Sequence, residues 1–489
     1  MHALFPFFPK PAARLLAIAA AAMLVAGCTT AAMPSGSPDV SAASPAAVRP
    51  SGLAANDQHA RIVNTYGGVY RDPELERTLA RIVGRLVAAS PDPTRSYAIT
   101  ILNAPAVNAF ALPDGYLYVT RGLLTLATDS SEVAAVIAHE MAHVTADHAA
   151  QRQNQALTAA IVNNVVTDAA GDTPAQIAVA TSQRTLAGFS QQQELEADQI
   201  GIRTIAAAGY DPYAASRFLQ AMGRYDAYRA SIGLDDVQAP DFLASHPSNP
   251  SRVGLAVSTA QQVGQPGAGE TDRDRYLAGI DGTVFGDDSA EGFIRGRNFY
   301  HPDLGIGFAV PDGFVLDNTQ SAVLAMGADG TALRFDSVTL SGRETLNAYL
   351  TSGWVNGLDQ SSIRATTIGG MPAVTASAAA GGWQFRIAII ELGGEAYRFI
   401  FANSQVTPAF EQAAQVISGS FRRLSPQEAA GIGPLRLRVI TAPAGSTAAS
   451  LAQSMRGVDN PVELFLVLNG FDAGTPIPAG SRVKIITDQ

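Results

Sequence analysis

His139-Glu140-Met141-Ala142-His143 sets two imidazoles four residues apart with a glutamate beside the first. On a helix such positions share one face, so both rings can reach a single ion. Glu140 then projects to the side, where it can take a proton from a water on that ion. Further along, Glu194-Leu195-Glu196-Ala197-Asp198 repeats the four-residue spacing with Glu194 and Asp198. Two histidines and one glutamate are an established zinc set that leaves a fourth position to water, which makes Glu194 the expected third ligand. Asp198, one turn on, is expected to hold the free nitrogen of a ligand histidine and so fix its tautomer. Glu196 points elsewhere on the same helix and reads as solvated. His148, five residues past His143, reads as a surface or structural histidine rather than a ligand. His59 and His301 have no acidic companions at metal spacing.

These residues need elements to hold them. Asp129-Ser130-Ser131-Glu132 offers capping groups and a first-turn acid ahead of a helix over 133–151, which carries the histidine pair. The carboxylate pair falls in a helical pattern over 189–208, closed by Gly209 and Pro212. Upstream, residues 73–83 follow a helical pattern and 97–102 a strand pattern. Asn108 to Val119 alternates about Asp114-Gly115, a strong hairpin signal, with Pro113 marking an edge strand.

Taken together, residues 59–264 resemble the M48 family of zinc metallopeptidases, through the HEMAH and ELEAD elements, the NAFALPDGYLYVTRGLL strand region and His246-Pro247-Ser248-Asn249-Pro250-Ser251-Arg252. The resemblance implies a mainly α, zincin-type (gluzincin-like) peptidase domain with a small edge sheet. It implies one Zn2+ per chain on His139, His143 and Glu194, with Glu140 as general base. It further implies that His246 and Arg252 approach the substrate carbonyl or its oxyanion, and that His246 can also take the fourth metal position and keep the enzyme latent. Where relatives often carry Ser-Arg ahead of the glutamate ligand, this chain reads Ser190-Gln191. The edge strand at Asn108 and Ala109 is expected to bind an extended peptide by main-chain hydrogen bonds, a mode that tolerates many sequences. The expected function is a metalloendopeptidase acting on unfolded or misassembled envelope proteins. The alternative is a largely latent peptidase acting as a chaperone, assembly factor or peptidoglycan-associated scaffold for outer-membrane proteins.

The termini supply an address and further modules. Lys10 and Arg14 lead into the apolar run Leu15 to Val25, too short to span a bilayer and suited to a secretory signal over 1–27. Leu24-Val25-Ala26-Gly27-Cys28 resembles the lipobox of bacterial lipoproteins, which makes Cys28 the expected acylated residue. With Thr29 next, the expectation is an outer-membrane lipoprotein facing the periplasm. Residues 28–58 read as a flexible tether and 265–290 as a linker, with one helical turn near Tyr276. Residues 291–425 read as an α+β domain faintly similar to the PsbP/Mog1 sandwich. Its expected features include helices over 345–358 and 408–421 and a hairpin turning at Gly393-Gly394. Residues 431–489 read strand, helix, helix, strand and resemble a LysM module, which makes peptidoglycan a candidate partner. With 33 basic against 43 acidic residues, the net charge of −10 argues against nucleic acid, and a single Cys excludes an internal disulfide.

Overall fold

A computed structural model describes residues 52–155, 172–234, 246, 250–342 and 344–488. Cys28, the apolar run before it and most of the expected tether lie outside the described residues. Helix α1 (Gly52–Thr65) begins inside the stretch expected as tether. Backbone contacts divide the chain into two units. One runs over Ala60–Tyr228 and returns through Pro240–Gly286 and Leu435–Gln489; the other is built mainly from Asp287–Pro434.

In the first unit, α2 (Pro73–Ala89) starts where Asp72 accepts from the N–H groups of Glu74 and Leu75, with Pro73 in the position that needs no donor. Its stripe of Leu75, Leu79, Ile82, Val83 and Leu86 is buried. Strands β1 (Ala98–Leu102), β2 (Ala109–Ala111) and β3 (Tyr116–Thr120) form a sheet ordered β1-β3-β2. β1 runs parallel to β3 and β2 antiparallel, which leaves β2 at the edge. Short α3 (Arg121–Leu126) leads to α4 (Ser130–Thr145), the helix of the histidine pair. Asp129 accepts from the Glu132 N–H while the Glu132 carboxylate accepts from the Thr128 N–H, so the two acids satisfy donors at the helix start. Every residue from Ser130 to Val144 is buried, and the motif helix is the centre of this core.

Around it lie α5 (Asp172–Ala207), α6 (Ala214–Ser231) and α7 (Pro250–Val263). Arg217 of α6 binds Asp129, Glu132 and Asp211 and so ties down the start of α4. Gly201 sets the spacing between α4 and α5: a Cβ there would lie 3.1 Å from the His139 backbone nitrogen. The stretch expected as a linker is folded, with α8 (Arg273–Ile280) burying Tyr276, Leu277 and Ile280 and β4 (Val284–Phe285) following it.

The second unit holds β5 (Phe293–Arg295), β6 (Asn298–His301), β7 (Ile306–Ala309), β8 (Phe314–Asn318), β9 (Val323–Gly327) and β10 (Ala332–Thr339). After α9 (Leu346–Leu350) come β11 (Leu358–Ile368), β12 (Met371–Ala380), β13 (Trp383–Leu392) and β14 (Glu395–Asn403), then α10 (Pro408–Gly419), β15 (Arg422–Arg423) and α11 (Pro426–Ala430). A seven-stranded sheet, ordered β11-β12-β13-β14-β10-β9-β8, carries apolar clusters on both faces. Strands β15-β7-β6-β5 form a smaller sheet. The hairpin turns at Gly393-Gly394, both with positive φ, as a two-residue turn of this kind requires. The helix expected over 345–358 stops at Leu350, because Gly353 and Gly357 take left-handed backbone angles and β11 begins at Leu358.

The chain then re-enters the first unit. β16 (Leu435–Thr441), α12 (Ala448–Ala452), α13 (Pro461–Asn469) and β17 (Arg482–Thr487) follow the strand, helix, helix, strand order. β16 pairs with β17 on one side and β4 on the other. The fully buried Lys484 ammonium donates to the carbonyls of Thr125, Leu126 and Ala127 at 2.8–2.9 Å, where α3 ends. Among the described residues, no helix is long and apolar enough to cross a membrane.

Candidate metal centre

One turn of α4 presents His139 and His143, and α5 brings Glu194 and Asp198 across from them. His139, His143, Glu194 and His246 are all buried, and one donor atom from each lies within 4.8 Å of the others. His139 Nε2 is 3.1 Å from His143 Nε2 and 3.3 Å from a Glu194 oxygen, and His143 Nε2 is 3.4 Å from the other Glu194 oxygen. Ligands about 2.0–2.1 Å from a tetrahedral zinc stand about 3.3–3.4 Å apart, so the protein already sets the edges of such a site. Protonation points the same way. Asp198 Oδ1 lies 2.9 Å from His139 Nδ1 and holds a proton there, so Nε2 is the nitrogen turned toward His143 and Glu194 and the one that an ion would deprotonate. Glu194 Oε1 is buried with no hydrogen-bond partner. Converging lone pairs and a carboxylate in a dry site call for a cation, and the donor set suits zinc.

The two glutamates at the centre are pushed in opposite directions. Burial pushes the Glu140 carboxyl above the usual range, with the charges of His246 and His139 opposing. Its Oε1 is buried without a hydrogen-bond partner. Burial acts on Glu194 too, but hydrogen bonds from His139 and His246 outweigh it and hold that carboxyl well below its ordinary value. Desolvation likewise opposes charge on His139, yet Asp198 and Glu194 push its pKa up to about 9.

His246 sits inside the cluster, its Nδ1 2.8 Å from Glu194 Oε2 and 3.3 Å from His139 Nε2, its Nε2 3.7 Å from Glu140. Arg252, on the first turn of α7, is placed differently from the expected oxyanion role. Its guanidinium is bidentate on Asp198, with two contacts of 2.8 Å, and reaches Glu194 at 3.3 Å. It braces the carboxylates that hold the histidines.

The edge strand separates the two residues expected to meet a peptide. Asn108 turns its main chain inward: its N–H donates to Thr120 Oγ1, its carbonyl accepts from the Thr120 N–H, and its side chain donates to Tyr66. The Leu112 N–H bonds inward to Tyr116 O, so by the alternation of an antiparallel ladder Ala109 and Ala111 direct their main-chain groups to the open edge. The Ala111 N–H on that side bonds the Glu140 carboxylate.

His148 is fully buried rather than at the surface, its Nδ1 2.8 Å from His143 Nδ1. Helical spacing does not predict this. The helix ends at Thr145, and Asp147, with φ of 58°, folds the chain back. Gln193 donates to the His148 carbonyl at 3.2 Å.

A helix bearing two histidines and a glutamate, a second helix with a facing carboxylate, and an edge strand beside them make up a cluster that could hold a metal ion. Residues 71–259 match the model of Peptidase family M48. The putative beta-barrel assembly-enhancing protease of Vibrio cholerae is 30% identical over 219 residues, which are 42% of this chain and 43% of that protein. The beta-barrel assembly-enhancing protease of Escherichia coli O157:H7 is 29% identical over 45% of this chain and 46% of its own length. The mitochondrial metalloendopeptidase OMA1 of Arabidopsis thaliana is 34% identical over 33% of this chain and 31% of its own. The chain thus spans less than half the length of these relatives. Of solved structures, the PsbP solution structure from Synechocystis aligns with 28% of this chain and 98% of its own, at 14% identity and a TM-score of 0.22, too low to support an argument about the middle region.

Proposed function

We propose that the protein is a zinc-dependent endopeptidase of the bacterial cell envelope that cleaves unfolded or misassembled envelope proteins. The observation that carries this reading is the buried set of His139, His143 and Glu194 at tetrahedral edge distances, with Glu140 beside it. Zinc held there supplies Lewis acidity, lowering the pKa of water and polarising a carbonyl. The chain's own groups do the rest. The Ala109 main chain and the Ala111 carbonyl hold a substrate extended along the open edge of β2, the Ala111 N–H being taken by Glu140. Glu140, desolvated and poised at a raised pKa, takes the proton of the attacking water and passes it to the leaving amine. His246, 3.7 Å from Glu140, can offer an N–H to the developing oxyanion. Arg252 acts through Asp198 by keeping its carboxylate on His139.

The test compares wild type with Glu140→Gln on an unfolded casein-type substrate, with and without a chelator. The expected result is a rate loss of about 100-fold or more with zinc content unchanged, and chelator-sensitive cleavage by wild type alone. Equal cleavage by both proteins would overturn the mechanism.

A second reading coexists with the first. His246 contributes the fourth donor of the cluster, and this supports a latent state in which it takes the position that water needs. The prediction is that His246→Ala raises casein cleavage; unchanged or lower cleavage removes latency and leaves the oxyanion role. The names of the bacterial relatives, beta-barrel assembly-enhancing proteases, support outer-membrane protein assembly as the setting. Acylation at Cys28 would tether the enzyme to the outer membrane, and the terminal βααβ segment is a candidate for peptidoglycan contact.

A further inference from the structure

Each ligand histidine needs its proton held away from the metal. For His139 the holder is Asp198. For His143 it is another imidazole, and that choice has consequences. His143 Nε2 faces His139 and Glu194, so a neutral His143 that ligates through Nε2 carries its proton on Nδ1. That nitrogen lies 2.8 Å from His148 Nδ1, and a single hydrogen fits between them. His143 is then the donor and His148 Nδ1 the acceptor. The remaining proton of a neutral His148 must sit on Nε2, which lies 3.5 Å from Glu196 Oε2.

We propose that His148 is a positioning residue that locks His143 in its Nε2-ligating tautomer, its own Nε2 making no hydrogen bond and lying near the Glu196 charge. This rests on the metal site proposed above. His148 is equipped for the part: it is 0% exposed, it is turned back onto His143 by the left-handed Asp147, and its carbonyl is held by Gln193 from α5. Glu196 stays 54% exposed at the side chain, so solvent screens the outermost charge. The two ligand histidines are therefore supported unequally. His139 leans on a buried carboxylate braced by Arg252, and His143 leans on a neutral acceptor.

The test uses full-length His148→Phe and His148→Gln with zinc affinity as the first readout, measured by competition with a chromophoric chelator. Phe removes the acceptor, and Gln offers a carbonyl oxygen to the His143 Nδ1–H. The expected result is a 10–100-fold weaker zinc affinity for His148→Phe, a range usual for partners of ligand histidines, with most of it restored in His148→Gln. In the cobalt-substituted proteins, the visible ligand-field bands should shift for Phe and return toward wild type for Gln. Equal zinc affinity in all three proteins, or no restoration by Gln, overturns the inference. If His148→Phe fails to fold, 15N shifts of labelled imidazoles in the zinc-loaded wild type decide. A bare Nδ1 and protonated Nε2 on His148 are expected, and the reverse tautomer overturns the proposal. Failure of the site itself would look different: wild type would not bind zinc stoichiometrically, and His143→Ala would change nothing.

Discussion

Glu140 and Glu194 lie beside the same imidazoles yet are shifted in opposite directions, Glu140 raised by burial and Glu194 lowered by its hydrogen bonds. That difference in environment suits Glu140 to the proposed role of base and Glu194 to that of ligand. Glu194→Gln should therefore lose zinc as well as turnover, which elemental analysis beside the Glu140→Gln protein will show. Away from the centre, Asp317 on β8 is raised to about 6, first by burial and then by Asp287, with Arg229 opposing, and its Oδ2 has no hydrogen-bond partner. A carboxyl raised on folding binds more protons in the native state, so stability falls as pH rises from about 4 to about 6. Asp317→Asn should remove that slope and stabilise the protein at pH 7 by up to about 3 kcal/mol, read from denaturant midpoints across this window. The grouping of His139, His143 and Glu194 was legible at this scale because the histidine pair and the Glu194–Asp198 pair each repeat a spacing of four. His148 was not, since one left-handed residue breaks the helical register, and neither was the clamp of Arg252 on Asp198, 54 residues away in sequence.

At the scale of elements, the site depends on how closely two helices approach. Gly201 lets the α5 backbone come against α4 at His139, and a larger residue there must push the carboxylate pair away from the histidines. Gly201→Val should cost about 1–3 kcal/mol by overpacking and weaken zinc binding along with it, measured by thermal unfolding with and without added metal. The open edge of β2 makes a separate prediction. If Ala109 and Ala111 bind substrate through main-chain groups, N-methylating the peptide beside the scissile bond should abolish cleavage, while side-chain changes should alter it only modestly. The sequence announced that hairpin through Asp114-Gly115 and Pro113. It did not announce β4, because two residues, Val284 and Phe285, are too short to carry a period and pair only with a strand some 150 residues on.

For the whole molecule, the terminal strand pair belongs to the peptidase unit rather than to an appended module. β16 pairs with β4, Arg121 bonds the β4 carbonyl of Val284, and Lys484 fills the end of α3. Lys484→Met would strand three carbonyls in a dry site and should destabilise the unit by roughly 2–4 kcal/mol. Deleting residues 435–489 should likewise leave a peptidase that unfolds at lower temperature or fails to stay in solution, where a freely hanging module would be dispensable.

The same topology favours an order of assembly. The strands that meet at β4 and β16 are separated by the whole of Asp287–Pro434, and closing a slack loop of that size costs roughly 4 kcal/mol of entropy. An intervening stretch that has already folded shortens the slack and removes part of that cost. Pairing of β16 with β4, and with it the seating of Lys484 against the end of α3, is thereby made easier once the intervening stretch has folded.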